Sequence, residues 1–269
     1  MKLTAIGTGN ARQLPVYGCS CKACNRAKVE PQYRRGKTSA VLSVNNKQLL
    51  IDANADNLLT RFPAGEIDRI LLTHYHMDHV HALFDLRWGV NVSIPVDGPD
   101  DPTGCDDLFK HPGILDFQLP KVAFEPFNWQ GICITPLPMI HSKPCMGYCF
   151  EWQGKRIAYL TDTVDLPEKV KQWLLENPVD LVLIDCSFPP VSRDVGEQPQ
   201  NHNDVILAKQ IQSSCNVARM GLIHIGHSFE SWAMDNPQYF NHTFFLVSDG
   251  QEFNYGYANI SAVITDTQR

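Results

Sequence analysis

The stretch "LLTHYHMDHVHALFDLRWG", Leu71–Gly89, places His74, His76, Asp78, His79 and His81 close together, directly after an apolar run. Its reading decides the fold. The run "RILLTH" (69–74) predicts a strand, and side chains on a strand alternate, so His74 and His76 project together while Tyr75 and Met77 point elsewhere. Asp78 and His79 then open a predicted helix, 78–88, with Asp78 as cap or first-turn acid. Imidazole and carboxylate converging at a strand-to-helix corner suit Zn²⁺, Mn²⁺ or Fe²⁺. Further donors stand at or near other strand ends: His141 after 132–139, Asp162 at the end of 156–162 and His224 within 220–226. Nothing in spacing ties His81, His111 or His242 to this set, and surface or core roles are expected for them.

Around this corner the chain reads as alternating short strands and helices. Strands are predicted at 2–8, 40–44, 48–52, 69–74, 132–139, 156–162, 180–185, 220–226 and 244–250, and helices at 54–61, 78–88, 167–176 and 203–213. "VNNKQ" (44–48) and "EWQGKR" (151–156) read as hairpin turns. Hairpins mixed with strand–helix alternation predict an α/β sandwich rather than a simple doubly wound sheet. The polar, Pro- and Gly-containing stretch "PPVSRDVGEQPQN" (189–201) reads as a mobile loop of the kind that covers active sites.

The 269 residues are 43% hydrophobic and 19% charged, enough for one large core, and the net charge of −6 would repel a polyanion. Nucleic acid is therefore not the expected partner. No apolar run is long enough to span a membrane. The opening "MKLTAIGTGNARQ" has no signal-peptide core, so a cytoplasmic protein is expected.

The nine cysteines are an odd number in a chain too large to need a disulfide scaffold, and in a reducing compartment clustered cysteines are more often metal ligands than disulfides. In "YGCSCKACNRAK", Cys19, Cys21 and Cys24 form C-x-C-x₂-C, which fits three thiolates on a structural Zn²⁺ wanting a fourth ligand. His227, three residues after His224 in "HIGHS", is the expected fourth. Such a clip would close a loop of about 200 residues, at a chain-entropy cost of roughly 4–5 kcal/mol that the metal bonds must exceed. Cys105, Cys133, Cys145, Cys149, Cys186 and Cys215 are scattered and read mainly as small hydrophobes.

"THYHMDHV" resembles the signature of the metallo-β-lactamase superfamily. The resemblance implies an αβ/βα sandwich, two mixed β-sheets flanked by helices, formed by residues 1–269 as a single hydrolase domain with a zinc-binding loop at about 17–30. It also implies two divalent metal ions, Mn²⁺ or Zn²⁺, at one edge. His74, His76 and His141 would hold one, Asp78, His79 and His224 the other, and Asp162 would bridge. Two divalent ions lower the pKa of bound water and stabilise charge on attacking and leaving oxygens. The rest of the chain resembles the PhnP family of phosphoribosyl cyclic phosphodiesterases, associated with carbon–phosphorus lyase and phosphonate catabolism. The matching stretches include "PQYRR" (31–35), "LFDLRWGV" (83–90), "GCDDLFKHPGILDF" (104–117), "HSK" (141–143), "LPEK" (166–169), "DCSFPP" (185–190) and "IHIGH" (223–227). Thr161, Phe188 and Gly226 depart from that pattern without removing a ligand.

The family implies hydrolysis of 5-phospho-α-D-ribose 1,2-cyclic phosphate to ribose 1,5-bisphosphate. The sugar alkoxide is a poor leaving group and needs a proton. His202, after the 189–201 loop and just before a helix, is the candidate general acid, and Asp78 is the other candidate catalytic residue. A second phosphate on the substrate calls for basic groups, for which Lys143, Arg34, Arg35 and Arg87 are the candidates. A broader cyclic-nucleotide phosphodiesterase, a tRNA 3′-processing nuclease of the same fold, and a non-catalytic relative from cofactor biosynthesis are the alternatives. A small phosphorylated cyclic sugar is the expected partner, with no membrane. A homodimer is common for this fold and stays open.

Overall fold

The computed structural model describes residues 1–191 and 200–255. Most of the loop expected at 189–201 therefore lies outside the described residues. The strands are β1 (Lys2–Gly7), β2 (Ser39–Val44), β3 (Lys47–Ile51), β4 (Arg69–Leu71), β5 (Ile94–Asp97), β6 (Leu115–Phe117), β7 (Phe127–Trp129), β8 (Ile132–Pro138), β9 (Met146–Trp152), β10 (Lys155–Leu160), β11 (Leu181–Asp185), β12 (Met220–Ile223), β13 (Phe244–Leu246) and β14 (Glu252–Asn254). The helices are α1 (Lys22–Val29), α2 (Leu58–Arg61), α3 (Met77–Val80), α4 (Leu83–Leu86), α5 (Asp106–Lys110), α6 (Glu168–Glu176), α7 (Val205–Ser214) and α8 (His227–Asp235).

The strands form two mixed seven-stranded sheets, ordered β14-β1-β2-β3-β4-β5-β6 and β13-β12-β11-β10-β9-β8-β7. In the first, β3 to β6 run parallel, and in the second, β10 to β13 do. Alternation along each strand explains the layering. On β11, Leu181 and Leu183 enter a core shared with Leu3, Leu42, Leu49 and Ile51 of the other sheet, while Val182 and Ile184 face Val170, Leu174, Ala208 and Phe229 of the outer helices. On β3, Leu49 and Ile51 face the second sheet, and Leu50 packs with Leu58, Val80 and Leu83. Each sheet thus buries both faces, which is the expected αβ/βα sandwich.

The two hairpin turns occur as expected. Asn45 and Asn46 both adopt positive φ in the β2–β3 turn, the geometry a two-residue hairpin favours. Two expectations change. The helix expected at 78–88 is two short helices, because the chain turns aside to bond the β3 exit: Ala53 N–H donates to the His79 carbonyl and Ala82 N–H to the Ala53 carbonyl. The strand expected to reach His74 leaves the ladder at Leu71, since Thr73 N–H donates to the Asp52 carboxylate instead. Strands β5, β6, β7 and β14 and helices α1, α5 and α8 are additions to the elements predicted from the sequence.

This topology brings one edge together. β8 and β10 both run antiparallel to β9, so their carboxyl ends share a side with those of β11 and β12. Across the sandwich, Tyr148 O–H donates to the Leu72 carbonyl at 2.8 Å and Met146 N–H to the Thr73 carbonyl at 2.9 Å. These bonds pin the histidine-rich loop after β4 to the second sheet.

Candidate metal centre

Seven side chains converge at that edge. Donor atoms of His74, His76, His141 and Asp162 lie within 4.8 Å of one another, as do those of Asp78, His79 and His224. His74 Nε2 is 2.9 Å from His76 Nδ1, and His141 Nε2 is 3.0 Å from the same atom. Divalent ions with bonds near 2.0–2.1 Å set neighbouring ligand nitrogens roughly 3 Å apart. Asp162 links the groups: its Oδ1 is 3.3 Å from His79 Nε2, and its Oδ2 is 3.5 Å from His224 Nε2 and 3.7 Å from both His74 Nε2 and His141 Nε2.

The residues fit cations on chemical grounds too. His79 Nε2 and His224 Nε2 are buried without a hydrogen-bond partner. Orphaned polar atoms of that kind are costly unless something binds them. Their far nitrogens are held: His79 Nδ1 is 2.7 Å from Asp52 Oδ2, and His224 Nδ1 is 2.8 Å from Ser187 Oγ. Partners of this sort fix ring orientation and tautomer in metal-binding histidines. Burial, reinforced by charge on His79, holds His74 well below the ordinary imidazole range, so it is a neutral donor. Burial opposes charge on Asp162 and on His79 alike. The imidazoles of His224 and His79 nevertheless keep Asp162 ionised far below the usual range, and Asp162 and Asp52 push His79 well above its own.

His202 closes the open side. Its ring stacks on His224 at 4.6 Å and lies 5.3 Å from His141, centroid to centroid. Its Nδ1 is 2.7 Å from Asp185 Oδ2. Burial disfavours the imidazolium, but the Asp185 carboxylate, with Asp162 and Asp78 beyond it, outweighs this and raises His202 to about 9.

A second donor set lies apart from the first. His227 Nδ1 is 3.4 Å from Cys19 Sγ, 3.6 Å from Cys21 Sγ and 3.9 Å from Cys24 Sγ. A tetrahedral zinc with Zn–S near 2.3 Å and Zn–N near 2.0–2.1 Å implies S···N edges of about 3.6 Å, so the four atoms fit that ion. Cys21 caps α1, and His227 opens α8.

A model of the β-lactamase superfamily domain matches residues 47–225. The chain belongs to the metallo-β-lactamase superfamily. Over 180 residues it is 28% identical to an octanoyltransferase of Porphyromonas gingivalis, a match covering 62% of this chain and 35% of that one. Over 175 residues it is 22% identical to a ribonuclease Z of Bacteroides thetaiotaomicron, covering 57% and 52%. The chain therefore spans about a third of the first relative and half of the second. In fold it is similar to a diphosphatase of the PhnP family, with a TM-score of 0.79 and 22% identity over 95% of this chain and 98% of that one.

In this superfamily member the four basic candidates are placed differently. Lys143 follows His141 by two residues, with Nζ 3.2 Å from Asp101 Oδ2. Arg35 is buried, donating to Glu230 Oε2 at 2.9 Å, to Thr8 and to the Val247 carbonyl. Arg87 pairs with Asp107 at 2.7 Å and lies over the Trp88 ring. Arg34 donates from Nε to the Ala27 carbonyl at 3.1 Å. The structure thus does not bring the arginines to the metal ligands: Arg35 is taken up by Glu230, Thr8 and Val247, Arg87 by Asp107, and Arg34 by the Ala27 carbonyl. His81 turns away to Asp56, 3.4 Å distant.

Sequence reasoning missed Asp52, Asp185, Thr73 and Ser187. Asp52 and Asp185 are fully buried and end the apolar runs "QLLID" and "DLVLID". An acid closing an apolar strand is the signal that could have found them, since such a group needs partners.

Proposed function

We propose that the chain is a metal-dependent phosphodiester hydrolase that opens 5-phospho-α-D-ribose 1,2-cyclic phosphate to ribose 1,5-bisphosphate in phosphonate catabolism. The observation that carries this reading is the shared carboxylate: Asp162 faces both donor groups, with His202 on the open side. Two divalent ions, zinc or manganese, would be held by His74, His76 and His141 and by Asp78, His79 and His224. When bound, they would supply an activated water and offset negative charge on the phosphate oxygens.

The chain's own groups do the rest. Donation from Nδ1 to Asp185 leaves His202 Nε2 free to hold a proton for the departing sugar oxygen. Asp52 and Ser187 keep the rings of His79 and His224 from turning, so the donors are in place before substrate arrives. A structural zinc on Cys19, Cys21, Cys24 and His227 is part of the proposal. So are a cytoplasmic setting and a small sugar phosphate rather than RNA as partner. No described helix is long and apolar enough to cross a membrane.

The test is phosphorus NMR of the purified, metal-loaded protein with the cyclic phosphate, beside a structured RNA. The expected result is conversion of the cyclic ester to a phosphomonoester at the sugar 1-position. Cleavage of RNA with the cyclic phosphate untouched would move the assignment to a nuclease. One zinc per chain and no other metal would move it to a non-catalytic relative.

A further inference from the structure

The wall beside the metal centre holds a charge pair with no role in the ligand set. Residues 141–143 run along the His76 ring: His141 Nε2 faces its Nδ1 at 3.0 Å, and Ser142 Oγ lies 3.5 Å from its Nε2. Lys143 comes next and reaches Asp101 Oδ2 at 3.2 Å. The Asp101 side chain is only 7% exposed, while that of Lys143 is 29% exposed. Thr103 Oγ1 donates to Asp101 Oδ1 at 3.3 Å. A Cβ on Gly104 would fall 2.7 Å from Asp101 Oδ2 and 2.6 Å from Tyr75 Cβ. Gly104 therefore packs against both the Asp101 carboxylate and Tyr75, the residue between His74 and His76, with no room for a larger side chain.

We infer that Lys143, held in place by Asp101, receives a second phosphate of the substrate, a phosphomonoester borne by the same small molecule as the scissile diester. This rests on the phosphodiesterase reading above. A lysine ammonium has three donors on a flexible four-carbon stem. Asp101 accepts one and stops the stem from sweeping the mouth of the site, which leaves two donors for an anion. Of the four basic candidates, only Lys143 adjoins a ligand loop. Lys143 is a binding residue and Asp101 a positioning residue. The pair would make the site select a doubly phosphorylated sugar over a lone cyclic diester.

The experiment compares kcat/KM for ribose 1,2-cyclic phosphate with and without the 5-phosphate. The wild-type protein is set beside Lys143→Met, Lys143→Arg, Asp101→Asn and the double variant Lys143→Met/Asp101→Asn. The double variant removes both charges and so avoids stranding a buried carboxylate. Loss of one charge-assisted contact should shrink the preference for the 5-phosphorylated substrate about 10- to 100-fold in both methionine variants, mainly through KM. Lys143→Arg should keep most of it. Asp101→Asn alone should weaken the preference with Lys143 still present, which a merely structural role would not do selectively. Equal losses on both substrates, or an unchanged preference, would overturn the inference while leaving the phosphodiesterase reading intact. No turnover of either compound by the wild-type protein would overturn both.

Discussion

His202 and Asp185 stand 17 residues apart in sequence and 2.7 Å apart in space, and the proposed proton donor depends on both. His202→Ala should lower kcat about 10²- to 10⁴-fold with the metal content unchanged, checked by elemental analysis beside steady-state rates. Normal turnover would remove His202 from the mechanism. His79 carries a second prediction. Burial opposes its charge, but Asp162 and Asp52 raise it above the ordinary range. In metal-free protein this charge stabilises the fold below the usual imidazole pKa, and the contribution fades as pH rises through the raised value. A metal needs the neutral ring, so uptake at pH 7 must expel the proton, and affinity should weaken as pH falls. Calorimetry on protein already loaded at the cysteines should give binding enthalpies that differ between buffers of unlike ionisation heat. Identical enthalpies would show that His79 was already neutral.

At the scale of elements, β12 feeds His224 to one donor set, and three residues later α8 begins with His227 of the other. Between them, Ile225 N–H donates to the Thr8 carbonyl at 2.8 Å, and Asn10 N–H donates back to the Ile225 carbonyl at 3.2 Å. The N-terminal strand exit, the cysteine loop and a residue of the histidine cluster thus share one short arm. Arg26 and Arg35 both clasp Glu230 on α8, reinforcing the same junction. Cys24→Ser should therefore lower stability by several kcal/mol, on the order of the 4–5 kcal/mol loop-closure figure. It should also speed metal loss from the histidine centre. Denaturant midpoints and metal retention after dialysis check this. A variant with wild-type stability would mean the cysteines hold no metal.

Across the whole molecule, the site is only as rigid as the contact between the sheets. Leu183 is fully buried in the core that both sheets share, on the strand that ends in Asp185. Leu183→Ala should cost about 2–5 kcal/mol, lowering the melting temperature by roughly 2–4 °C per kcal/mol in a chain of this size. A shift under a degree would imply a core that refills easily. Much of this architecture is legible in the chain itself. Apolar runs such as "DLVLID" declare strands buried on both faces, and "HYHMDH" declares the metal chemistry, because strand period and donor type are local properties. The C-x-C-x₂-C spacing is local in the same way. Only the tertiary structure decided which distant groups serve those local ones. Asp52 was unremarkable until it met His79, and Asp185 until it met His202. Arg35, a candidate for phosphate, is committed to Glu230, 195 positions away. The physical reason is that a buried charge takes its role from whatever the fold sets within a few ångströms of it. That neighbour is chosen by sheet order and crossover, which no short window of sequence contains.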